Sequence, residues 1–73
     1  MSHVKCLKDN EGYWTEGETY RTESEGEISG AIRVHDDEDS DCDWILMPSD
    51  WDEELQAFKY QPAGMDAEFI EVA

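Results

Sequence analysis

The sequence predicts an all-β domain, a small barrel of five or six strands with one short helical turn near residues 49–55. Three observations predict it. Short runs rich in Val, Ile, Tyr and Thr recur along the chain, and turn chemistry built on Gly, Asn, Asp and Pro separates them. At 73 residues there is room for a single domain, 1–73, and a domain of that size buries only ~60% of the surface that its unfolded chain exposes. Closing so short a sheet on itself removes the open edges that would otherwise pair between molecules.

The elements follow in order. His3 to Lys8 alternates, with Val4 and Cys6 on one face, and reads as a first strand. Asp9-Asn10-Glu11-Gly12 and Glu16-Gly17 are turn signals, so residues 9–17 form a long loop carrying Tyr13 and Trp14. Glu18 to Glu23 is the second strand, broken by Ser24-Glu25-Gly26-Glu27. Ile28 to Val34 is the third, with Gly30 marking a bulge or the close approach of another backbone. Cys42 to Met47 is the fourth, with Cys42, Trp44 and Leu46 on one face, and Pro48 ends it because proline cannot donate to a ladder. Ser49 is placed to cap a helical turn with Asp52 and Glu53 in its first residues. Ala57 to Tyr60 and Ala67 to Val72 are the last strands, joined by a turn at Gln61-Pro62-Ala63-Gly64.

Charge is the second theme. Twenty Asp and Glu oppose five Lys and Arg, a formal net charge of -15, whereas small domains usually carry a magnitude of about 2–8. Self-repulsion on that scale opposes folding, so the excess calls for a cause: solubility, a high-salt habitat, or a basic partner. Direct binding to DNA or RNA is excluded as a reading, because it rests on neutralising phosphates with Lys and Arg. An anionic membrane is disfavoured on the same ground. The charge concentrates in two clusters. Asp36, Asp37, Glu38, Asp39, Asp41 and Asp43 lie between the third and fourth strands, and Asp50, Asp52, Glu53 and Glu54 surround Trp51.

Several chemistries are weighed against these residues, and none fits. Asp39, Asp41 and Asp43 match the first positions of a calcium loop, but Trp44 stands where that loop requires glycine. His3, Cys6, His35 and Cys42 do not have the spacing of a structural zinc site. Cys42 lies among carboxylates that disfavour its thiolate, and paired-carboxylate hydrolysis needs a cleft that so small a barrel rarely has. The expectation is therefore a non-enzyme with no cofactor and no metal. Cys6 and Cys42 read as reduced, mostly buried thiols of a cytoplasmic protein, with no secretory signal or transmembrane run in the chain.

The succession Val4-Lys5-Cys6-Leu7, Thr15-Glu16-Gly17-Glu18-Thr19-Tyr20, Ile32-Arg33-Val34 with Asp36-Asp37, and Trp44-Ile45-Leu46 resembles short phage and prophage proteins with a Src-homology-3-like barrel. The resemblance covers residues 3–46 and bears on fold more than on function. Glu18 replaces the Lys that often follows the glycine in that pattern, and an eight-residue acidic loop replaces a tight Asp-Gly turn. It implies a phage-encoded accessory protein with an acidified surface.

The leading expectation is nucleic-acid mimicry. The two clusters, with Trp51 as an interface anchor or a core plug, would enter the basic groove of a nucleic-acid-handling host protein, such as a defence nuclease or a polymerase, in the host cytoplasm. The reading depends on the two clusters sharing one face. The alternatives are an interaction module whose Tyr13, Trp14, Tyr20 and Trp44 line a peptide groove, and an acidic protein without a carboxylate-mediated partner. The surplus of aromatics leaves room for a homodimer.

Overall fold

A computed structural model describes residues 3–72. Six strands, β1 His3–Asp9, β2 Thr19–Ser24, β3 Ile32–Val34, β4 Trp44–Asp52, β5 Ala57–Pro62 and β6 Ala67–Val72, form a closed barrel in chain order. Every neighbouring pair is antiparallel, and β1 pairs with β6 to close the ring. The fold is thus the all-β barrel that the sequence predicts, and its small size fits the Src-homology-3-like type.

Period-two alternation builds the core. Val4 and Cys6 of β1 point inward between exposed His3, Lys5 and Leu7. Ile32, Val34, Leu46, Tyr60 and Phe69 supply the other walls, and Trp14 and Tyr20 fill the space beside them. Both cysteines are free and buried, and burial, reinforced by Asp9, pushes the Cys6 thiol up to about 11.

Two strand boundaries differ from the expectation by more than two residues, each for a local reason. The third strand begins at Ile32 instead of Ile28. Glu25 takes the amides of Glu27 and Ile28 on its carboxylate, which curls the chain, and Gly30 adopts φ 82° where the Pro48 ring would lie 3.4 Å from an added Cβ. Pro48 does not end the fourth strand, which runs on to Asp52. The register shifts between Pro48↔Tyr60 and Asp50↔Lys59, and a bulge of this kind accommodates a proline inside a ladder.

The helical turn near 49–55 is absent. Residues 49–52 are strand, and 53–56 form a turn leading into β5. A helix so short does not pass its nucleation cost, whereas Trp51↔Phe58 and Asp52↔Ala57 extend an existing ladder. The capping chemistry survives in another place: Asp52 Oδ1 accepts the Leu55 amide at 3.0 Å and closes a hairpin turn.

Candidate functional site: the acidic loop and the arm beyond it

The loop between β3 and β4 is ordered by its own first two carboxylates. Asp36 accepts the Glu38 amide at 2.9 Å, the Asp39 amide at 2.8 Å and the Trp44 indole N–H at 2.8 Å. The indole bond, with the two amides, holds the Asp36 carboxyl below its ordinary value. Asp37 accepts from the Tyr20 hydroxyl at 2.5 Å and the Thr15 hydroxyl at 2.7 Å, while Tyr20 accepts the Thr15 amide at 2.7 Å. Burial, then the bond to Asp37, pushes the Tyr20 phenol up to about 12, so it stays protonated and keeps donating.

Neighbouring elements fasten the rest of the loop. The Asp37 amide donates to the Tyr13 carbonyl at 3.0 Å, and the Trp14 indole donates to the His35 carbonyl at 2.9 Å. Arg21 reaches across from β2 to the Ser40 carbonyl at 3.0 Å. Tyr13, Trp14 and Trp44 stack in one group beneath these contacts, at centroid distances of 4.8 to 5.7 Å. The long loop of residues 10–18 and the acidic loop thus brace each other.

This bracing sorts the candidate residues. Half-buried Asp36 and exposed Asp37 spend their carboxylates on hydrogen bonds to other side chains, while Glu38, Asp39, Asp41 and Asp43 are exposed and bond no other side chain among the described residues. Oxygens of Asp39, Asp41 and Asp43 lie within 4.8 Å of one another, a tight knot of negative charge. Among the described residues, the ion pairs are Lys8–Asp66, Arg21–Glu23 and Arg33–Glu25, none of which touches a loop carboxylate. Beside the loop lies an open groove of about 780 Å³, walled by Glu18, Tyr20, Glu38 and Asp39 among others. Glu18 stands out in the sequence only as a departure from the resembled pattern, and the anchors Thr15 and Arg21 do not stand out as site residues, because their roles depend on β2 packing beside the loop.

The second cluster sits at the other end of β4. Asp43 precedes the strand and Asp50 lies near its far end, which puts them roughly 20 Å apart at about 3.3 Å per residue. The two clusters therefore lie toward opposite ends of one strand. Asp50, Glu53 and Glu54 are exposed and Asp52 is half-buried. Trp51 is neither a core plug nor a lid under a helix. It stands 41% exposed against Phe58, with ring centroids 4.8 Å apart.

Of the aromatics considered for a peptide groove, Trp14 and Tyr20 are buried, Trp44 is half-buried with its indole bonded to Asp36, and Tyr13 is exposed. Their faces pack against one another and against Phe69, forming the platform on which the loop rests. No helix among the described residues is long and apolar enough to cross a membrane.

Fold and site together define a class: a small closed antiparallel barrel that carries a pre-ordered acidic hairpin loop. Comparison with known families, curated proteins and solved structures finds no match for this chain.

Proposed function

We propose that this protein is an acidic inhibitor that occupies the basic groove of a nucleic-acid-handling protein in place of its nucleic acid. On the resemblance to phage barrels, it is phage-encoded and acts on a host protein in the host cytoplasm. One observation carries the reading: Glu38, Asp39, Asp41 and Asp43 are held exposed and without salt-bridge partners among the described residues, on a loop that hydrogen bonds have already ordered, in a chain of net charge -15. A pre-ordered array loses little conformational freedom on binding, and a strongly negative surface steers itself toward positive grooves. The cluster around Trp51 adds a second contact. A groove that holds one turn of duplex, about 34 Å, is long enough to reach both.

The test is affinity capture from host lysate, followed by competition. Capture at low salt should yield a nucleic-acid-binding protein and fall steeply as salt rises, because exposed charges are screened within about 8 Å at physiological ionic strength. Lysine at Asp39, Asp41 and Asp43 together should weaken capture by about a hundredfold or more, since like charges then face each other across the interface. The captured protein should release its nucleic acid when this protein is added. A partner that holds both at once would rule out mimicry.

A further inference from the structure

We infer that the free end of the β4–β5 arm is a docking surface for a cationic amphipathic segment of a partner protein, with one apolar side chain of that segment seated against Trp51 and Phe58. The inference rests on the preceding reading for the partner's positive charge, and adds an apolar contact that mimicry alone does not require.

The end of the arm reaches past the backbone ladder that joins β5 to β6. The β4–β5 ladder runs out to Asp52↔Ala57, but β5 pairs with β6 only at Lys59↔Ile70 and Tyr60↔Phe69. Beyond that point the Phe58 amide goes to the side chain of Glu71 on β6 at 2.8 Å instead of to a backbone carbonyl. Neither Trp51 nor Phe58 belongs to the core cluster, which closes without them. Each nonetheless keeps a large exposed surface, 41% and 45%, and Leu55 in the adjoining turn is 65% exposed.

A cross-strand aromatic pair stabilises a two-stranded arm, and one scattered apolar residue needs no further account. Here an indole and a phenyl ring in contact, and an isobutyl group in the adjoining turn, are exposed at the end of one hairpin whose Asp50, Glu53 and Glu54 are exposed as well. Apolar centres with charged rims are the anatomy of interfaces, and Trp is the residue most enriched where binding energy concentrates. The rim selects the occupant. A second copy of this chain would bring a charge of -15 against -15, and an anionic lipid surface is repelled as well. A segment that alternates Arg or Lys with Leu or a similar apolar residue satisfies rim and centre together.

The experiment follows amide and indole signals of the isotope-labelled full chain on titration with two synthetic peptides, oligo-arginine and one in which arginine alternates with leucine. Each titration is run at low ionic strength and near 1 M salt, where charges are screened within about 3 Å. The alternating peptide should move the Trp51 indole and the Leu55 and Phe58 amides, and part of that response should survive high salt. Oligo-arginine should move the acidic loop, and whatever response it evokes at either acidic cluster should be lost in salt. Trp51→Ala should weaken the alternating peptide about thirtyfold. Leu55→Ser, at a site too exposed to matter for folding, should weaken it about threefold, with Val34 and Leu46 signals reporting an intact barrel.

Unmoved arm signals, or equal binding by Trp51→Ala, would overturn the inference even if oligo-arginine binds the loop. A loop unmoved by either peptide with a responding arm would instead remove the loop-based reading and leave the arm. Arm signals that shift with protein concentration alone would identify a second copy as the occupant and overturn the inference too.

Discussion

The two ends of β4 carry similar charge and hold it in opposite ways. At the start of the strand, the acidic loop is organised by carboxylates: Asp36 and Asp37 between them accept two loop amides, an indole N–H and two hydroxyls. At its far end the arm is organised by rings, Trp51 against Phe58, and its carboxylates serve only local turns, Asp50 to the Trp51 amide and Asp52 to the Leu55 amide. Counting acidic residues therefore misjudges both ends. The loop offers fewer free carboxylates than its composition indicates, and the arm offers an apolar surface that its composition hides.

Removing one carboxylate from each end should separate them most clearly. Asp36→Ala leaves the Trp44 indole and two amides without their acceptor, a cost of about 2–3 kcal/mol. For a domain this small, that lowers the melting temperature by roughly 10–20 °C. Asp52→Ala loses one turn bond and should cost about 0.5–1 kcal/mol. Thermal unfolding of both variants checks the ratio, and equal losses would show that the loop is not the better-braced end.

Acid should weaken the loop's bracing as well, by less than deletion because a protonated carboxyl still accepts. The Asp36 carboxyl is depressed in the folded protein by the Trp44 indole and the loop amides. A depressed carboxyl contributes stability above its unfolded value, and that contribution is lost as pH falls through the folded value. The window therefore lies at and below the ordinary 3.8. Asp9 shifts the same way: burial works to raise it, but the amides of Trp14, Glu11, Gly12 and Tyr13 outweigh that. Falling pH should move the Trp44 indole N–H signal together with the Glu38 and Asp39 amides. An indole signal unchanged through that window would mean that Asp36 is not its acceptor.

Much of the fold is legible in the sequence where the pattern is local. The alternation of Val4 and Cys6 and the closing run Ala67 to Val72 mark β1 and β6 without reference to anything else. What is hidden depends on partners distant in the chain. Pro48 reads as a stop because its bulge exists only opposite Tyr60 and Lys59. Asp37 is indistinguishable from Asp39 as a residue type, and it differs only because Tyr20 and Thr15, 17 and 22 positions away, fold against it. Trp51 reads as a candidate anchor, but its pairing with Phe58 requires the register of a hairpin that helix-capping signals obscure.

The smallest effect concerns the turn of the arm. Gln56 has φ 53°, a left-handed conformation that costs a side-chain-bearing residue roughly 1–2 kcal/mol, and glycine escapes that cost. Against the gain, Gln56→Gly forfeits the bond from Nε2 to the Glu53 carbonyl at 3.1 Å, which is exposed and worth little, and it frees the unfolded chain by roughly 0.5–1 kcal/mol. The balance favours glycine by about 0.5 kcal/mol, a rise of roughly 2–4 °C in melting temperature. Hydrogen exchange at the Leu55 amide should slow with it, because the turn that presents Leu55 then closes without strain. A fall in both would mean that the Gln56 side chain, and not the backbone, holds the arm's end in place.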